Sequence, residues 1–182
     1  YDCMKKVSDI HAIKIIFFIT ACYVGLWAIR IPTIKDQLQT DYVGVGYIML
    51  SFAIGSIVAM IFANALILKT STKSILTCTL IAEGCLWLPV PFIQELWLFM
   101  VFSFVFGMSY GAFEIACNVY ASNLEVREKK SMMSGFHAFW SLGVLFGSLI
   151  TSFLLEWNYS FISNILLYLS LIHISEPTRL SR

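Results

Sequence analysis

The sequence predicts an all-α, polytopic membrane protein, and three observations carry that reading. Of 182 residues, 59% are hydrophobic and only 13% are charged, whereas a soluble domain carries charge on about a quarter of its residues. The apolar residues gather into six runs separated by short polar connections. The basic residues concentrate on alternate connections, as they do when a chain threads a bilayer repeatedly.

Each run is read as a helix, because backbone groups in lipid must be paired within their own segment. A hydrocarbon core about 30 Å thick needs roughly 20 such residues. The first span is expected over about 12–31 and the second over 44–68. The third covers 74–93 and ends near the breaker Pro89-Val-Pro91. The fourth covers 96–121, the fifth 134–155, and the sixth runs from about 159 to 168 and onward. Lys5 and Lys6 precede the first run, as they would precede a signal peptide. That run is too long for a signal sequence and lacks a small-residue cleavage site.

The ends read differently. Residues 1–11 are expected as an amino-terminal segment on the cytoplasmic side, and 12–168 as one six-helix bundle. The stretch Leu169 to Arg179 resembles the in-frame translation of a common transposon-based sequencing adapter. Residues 169–182 are therefore expected to be a non-native tail and are set aside. The chain opens on Tyr1 rather than Met, so the natural protein is expected to extend past both ends.

Loop charge gives an orientation. With the amino terminus inside, the inner segments hold Lys5, Lys6, Lys69, Lys73, Arg127, Lys129 and Lys130, and the outer ones only Arg30 and Lys35. Seven against two satisfies the positive-inside rule, and the reverse orientation breaks it.

Several function classes fall away. A net charge of +1 with no basic stripe gives no footing for nucleic acid. The five cysteines show neither paired CxxC spacing nor a nearby His pair, so no metal site is expected and small buried thiols are. No GxSxG, HExxH, Walker loop or GxGxxG is present. The chain is not read as an enzyme, and no cofactor is expected.

Small residues mark helix contacts. Ser51, Gly55, Ala59 and Ala63 recur at every fourth position of the second span. Gly107 and Gly111 do so in the fourth, and Gly143 and Gly147 in the fifth. This spacing lets helix backbones approach closely in lipid.

A few polar groups lie where lipid penalises them. A charge at bilayer depth costs at least about 2.5–3.5 kcal/mol on insertion scales. Glu114 sits deep in the fourth span with Asn118 one turn later, so both can face one cavity. A carboxyl there can load and release a proton as the cavity opens to either side. Glu83 is near the middle of the third span, and reads equally as a structural carboxyl bonded to a neighbouring helix. Arg30 closes the first span, and either faces the cavity or snorkels to headgroups. His137 opens the fifth, where packing or loop anchoring competes with binding. Asn64 and Asn164 are milder cases.

Three stretches converge on one family: FFITACYVGLWAIRIP from Phe17 to Pro32, GMSYGAFEIACNVYA from Gly107 to Ala121, and GFHAFWSLGVLFG from Gly135 to Gly147. Together they resemble the fucose-permease-like branch of the major facilitator superfamily, including its many uncharacterised bacterial members. The resemblance implies a twelve-helix fold of two six-helix bundles, of which this chain supplies the amino-terminal one, in a bacterial inner membrane. It implies alternating access around a cavity lined by the first and fourth helices, which carry Arg30 and Glu114. In sugar-transporting relatives a carboxylate at the place of Glu114 serves proton coupling and substrate binding, and Asn118 matches a neighbouring polar position. Trp27 and Trp140 are placed to stack on a sugar ring or to pack.

Two departures accompany the likeness. Ala28 stands where the sugar symporters have a second acid, and the loop Leu68 to Ser74 keeps positive charges at Lys69 and Lys73 but lacks the family's acid and glycine. Lys69 and Lys73 are read as an inner gate acting on helix carbonyl ends. The leading functional expectation is secondary active transport of a small polar solute, a sugar or related metabolite, with protons. The expected partners are that solute, the bilayer and the missing carboxyl-terminal half. Efflux of drugs or metabolites on the same fold is the first alternative, and a membrane sensor or scaffold that binds without transporting is the second.

Overall fold

A computed structural model describes residues 2–174. Among the described residues every regular element is helical: α1 (Asp2–Gln37), α2 (Tyr42–Lys69), α3 (Thr72–Trp87), a 3-10 turn (Val90–Phe92), α4 (Leu96–Glu128), α5 (Met133–Glu156) and α6 (Phe161–Ile174). Five of these regions, Asp9–Gln37, Tyr42–Ala63, Thr72–Phe92, Leu96–Glu128 and Met133–Glu156, are long and apolar enough to cross a membrane. The sixth, Phe161–Ser170, is apolar but shorter. Residues 175–182 of the expected tail lie outside the described residues, and 169–174 continue α6.

The helices outrun the apolar runs that signal them. α1 passes through Pro32 to Gln37, where the apolar reading ends at Ile31. A proline in a membrane helix is tolerated when neighbouring groups satisfy the freed carbonyl. α4 runs seven residues past the expected Ala121, to Glu128, because helical hydrogen bonding does not stop where hydropathy does. Helices α1, α4 and α5 end in one way, on non-glycine residues with positive φ: Gln39, Lys129 and Asn158. After each, a backbone N–H reaches five residues back: Thr40 to Lys35, Lys130 to Glu125 and Tyr159 to Leu154. This is the Schellman closure, which satisfies carbonyls that would otherwise be orphaned.

The starts of α2, α3 and α6 are capped by side chains. Asp41 accepts from the Gly44 N–H at 2.9 Å, Ser71 from Ser74 at 3.1 Å and Ser160 from Ser163 at 3.1 Å, as N-caps do. The start of α5 is capped from a distance, since one oxygen of Glu125 accepts both the Met132 N–H and, at 2.7 Å, the Met133 N–H.

The chain divides into two units. The first comprises α1 up to Arg30 together with everything from Ala121 onward. Here α1 and α5 pack backbone to backbone. A Cβ on Gly147 or Gly143 would overlap the carbonyl of Cys22 or Phe18, and one on Gly25 would stand 2.5 Å from the Val144 carbonyl. The buried Tyr168 hydroxyl of α6 donates to the Gly147 carbonyl at 2.8 Å and lies 3.0 Å from Thr151. Asp9 pairs with Arg127 at 2.9 Å, tying α1 to the end of α4.

The second unit spans Ile31 to Tyr120. Here α2 and α4 make the close approach. A Cβ on Gly55 would overlap the Phe104 carbonyl, one on Gly107 the Phe52 carbonyl, and one on Gly111 would meet Ser56. Ser56 adds a hydrogen bond to the Gly107 carbonyl at 2.9 Å. Trp87 of α3, Phe102 and Phe106 of α4 and Phe52 of α2 form a chain of ring contacts, all centred on Phe106. Gln37, at the end of α1, donates to the Val90 and Ile93 carbonyls at 2.9 and 2.6 Å. These bonds hold the proline-interrupted turn, whose carbonyls have no helix to serve.

Candidate functional site

The polar residues singled out by sequence fall into separate settings. In the second unit, Tyr110, Glu114 and Cys117 follow one another on α4 at intervals of four and three, which puts them on one helix face. Glu114 and Asn118 are both half-buried. Asn118 donates from its side-chain amide to the Glu114 backbone carbonyl at 2.9 Å. That bond ties the Asn118 side chain back to the preceding turn of its own helix.

Glu83 lies on α3 of the same unit. It is buried to 7% exposure, and its Oε1 has no hydrogen-bond partner among the described residues. It lies within electrostatic reach of Glu114, and Tyr110 and Cys117 lie within reach of both carboxyls. The reading of Glu83 as a carboxyl bonded to a neighbouring helix therefore does not describe this oxygen. Sequence alone holds no signal for this setting of Glu83, because it depends on how α3 is rotated in the unit.

In the first unit Arg30 is buried to 3% exposure. Its Nε donates to Asn164 Oδ1 at 2.8 Å, one terminal nitrogen donates to the same oxygen, and that nitrogen also donates to the Tyr159 carbonyl at 3.0 Å. The guanidinium lies 5.2 Å from the centre of the Phe161 ring, within cation–π range. Arg30 therefore does not snorkel freely. It clamps α1 to the start of α6, with Asn164 as the principal acceptor.

His137 is exposed on α5, edge-on to the Phe17 ring at 5.6 Å. Trp27 is half-buried on α1, as is Trp140 on α5. Lys69 ends α2 and Lys73 lies in the first turn of α3, both exposed. Lys69 thus sits at a helix carboxyl end, where a cation is favoured. The side chain of Asn64 lies outside the described residues. Among the described residues, no three His, Cys, Asp or Glu side chains gather as a ligand set.

Apolar helices of spanning length joined by close glycine contacts define a multi-pass membrane protein. The sequence model of the Major Facilitator Superfamily matches residues 15–175, and the chain belongs to that superfamily. It is 29% identical over 145 residues to an uncharacterized MFS-type transporter of Yersinia pestis, covering 78% of this chain and 37% of that protein. It is 25% identical over 141 residues to an uncharacterized transporter of Sinorhizobium fredii, covering 72% of this chain and 35% of that one. The chain thus spans about a third of the length of the curated relatives it matches. No solved structure matches it significantly.

Proposed function

We propose that this chain is the amino-terminal bundle of a secondary active transporter that moves a small polar solute, a sugar or related metabolite, together with protons by alternating access. The observation that carries the reading is Glu114, a half-buried carboxyl inside an apolar helix with Asn118 bonded one turn away. An acid retained at that depth against its insertion cost asks for a functional reason. Asn118 keeps its amide oxygen and a second amide hydrogen for a solute hydroxyl. The residues of the superfamily match and the two bacterial transporter relatives support the class.

In this reading the protein sits in a bacterial inner membrane with its amino terminus in the cytoplasm, as the basic residues of the 2–3 and 4–5 connections favour. Glu114 and Asn118 bind solute and proton. Arg30, Trp27 and His137 are assigned to solute binding in the same reading. Lys69 and Lys73 flank the cytoplasmic gate. A second six-helix bundle, related to the fucose-permease-like branch, completes the cavity.

The test is transport by the full-length protein reconstituted in liposomes with an imposed pH gradient. Sugars and related polar metabolites are expected to accumulate with the gradient, and Glu114→Gln is expected to abolish that accumulation. Gradient-dependent transport that persists in Glu114→Gln would remove this residue from the mechanism. A carrier that exports apolar compounds and ignores polar ones would replace the uptake reading with efflux.

A further inference from the structure

Arg30 is a buried cation whose partners are all neutral. Within the first unit it is 3% exposed, and Asn164 is 0% exposed. Its Nε and Nη2 donate to Asn164 Oδ1, and Nη2 donates also to the Tyr159 carbonyl. These bonds leave Nη1 without an acceptor among the described residues. No described carboxylate forms an ion pair with Arg30. Glu156, the acid that precedes α6, is exposed at the end of α5.

Two further observations sharpen the imbalance. Arg30 meets α6 in its first turn, at Phe161 and Asn164. A helix amino terminus is the positive end of its dipole, where a cation is disfavoured and an anion is held. The second observation is Asn164 Nδ2, which is buried and has no acceptor. It shares a carbon with the oxygen that Arg30 holds, so it is a close neighbour of the guanidinium. A buried cation without a counter-charge and a buried donor without an acceptor both destabilise a fold. The Phe161 ring, 5.2 Å from the guanidinium, softens the first and does nothing for the second.

One small anion satisfies both groups. A planar carboxylate has two oxygens for two neighbouring donors, a match that arginine makes well. The tight enclosure favours a singly charged, planar group over a phosphate dianion, whose hydration is costlier to remove. Residues 155–160, which join α5 to α6, are all exposed. Tyr159 of that connection bonds Arg30 directly, so the site lies just beneath solvent-exposed chain.

We propose that Arg30 and Asn164 form a carboxylate-binding site, and that the solute is an organic acid such as a sugar acid rather than a neutral sugar. The site itself stands on the geometry of the first unit, whereas naming the solute as its occupant rests on the transport reading. Arg30 Nη1 and Asn164 Nδ2 donate to the carboxylate. Asn164 Oδ1, held by Arg30, fixes the amide so that its nitrogen stays available.

The test is thermal unfolding of the full-length protein in detergent, in a zwitterionic buffer. The probes are gluconate, glucuronate and lactate, with glucose, chloride and phosphate as controls at matched ionic strength. At least one of the acids is expected to raise the melting temperature by about 2 °C or more, because a ligand of the folded state stabilises it by mass action. Indifference to all three acids overturns the proposal, and so does an equal rise with chloride or a rise with phosphate alone. Asn164→Asp places a carboxylate beside Arg30 within the fold. It is expected to raise the melting temperature without added acid and to erase the increment from the acid. An undiminished increment in Asn164→Asp overturns the proposal, and the wild-type comparison stands even if that variant does not fold.

Uptake of the same labelled compounds by liposomes separates the site from the carrier. If an acid stabilises the protein but nothing accumulates, the transport reading fails and the carboxylate site stands. If glucose accumulates while no acid stabilises or enters, the transport reading stands and the site falls.

Discussion

Arg30 shows how a charge with an ambiguous sequence setting acquires one role in the fold. Its guanidinium is spent on Asn164, the Tyr159 carbonyl and the Phe161 ring, so its first duty is to join α1 to α6. Asn164→Leu removes the acceptor and leaves a buried cation. Hydrogen bonds to charged groups contribute about 1.5–3 kcal/mol, and a loss of that order is expected as a lowered melting temperature of the full-length protein in detergent. Adding Arg30→Met to Asn164→Leu is expected to recover part of the loss, since a buried pair is often replaceable by apolar packing while half of one is not. A double variant less stable than Asn164→Leu would show that Arg30 contributes through other partners. Glu114, Asn118 and Arg30 stood out in the sequence as candidates because each interrupts an apolar run and carries an insertion cost. Asn164 was visible as an oddity, but its partner lies 134 residues away. The burial of Glu83 with no donor to its Oε1 was not legible at all, because helix rotation has no local signature in the chain.

At the scale of elements, hydropathy located all six helices but not their ends. The stops at Gln39, Lys129 and Asn158 use left-handed residues other than glycine, so the usual glycine signal is absent. The cap on α5 comes from Glu125, seven and eight residues before the groups it serves, beyond any local capping motif. The glycine spacing did announce close contacts, and the structure supplies their partners. α1 meets α5 at Gly143 and Gly147, and α2 meets α4 at Gly107 and Gly111. If α4–α6 repeats α1–α3, these are one pairing seen twice, as inverted three-helix repeats require. Gly147→Val places carbon where the Cys22 backbone stands, and backbone cannot yield as a flexible side chain does. Overpacking typically costs about 1–3 kcal/mol and occasionally more, so folded yield of the full-length protein is expected to collapse. Gly46→Ala is the control: nothing lies within 4 Å of the added carbon, and a helix gains up to about 1 kcal/mol from the change. Equal loss of folded protein in both variants would refute the close-contact account.

For the whole molecule, the decisive quantity is how much apolar surface is left without a protein partner. α5 exposes Leu142, Leu145, Phe146, Leu149 and Phe153, and α2 exposes Leu50, Ile54, Ile57, Ile61 and Phe62. Lipid covers such surface at no cost, so exposure alone does not separate a lipid face from a face awaiting a second bundle. The polar groups draw the distinction. A carboxyl such as Glu114 or an amide such as Asn118, half-buried on α4, gains nothing from lipid and would face the wet pathway that a second bundle encloses. The matched relatives are nearly three times as long as the matched region. The 182-residue chain expressed alone is therefore expected to aggregate after detergent extraction. Co-expression with a separate polypeptide carrying the remaining helices is expected to return a monodisperse peak that contains both pieces. Size-exclusion chromatography of the two preparations decides between the outcomes. A stable, monodisperse chain on its own would mean that the Glu114 face is already sheltered within this bundle, and the proposed two-bundle cavity would lose its main physical motive.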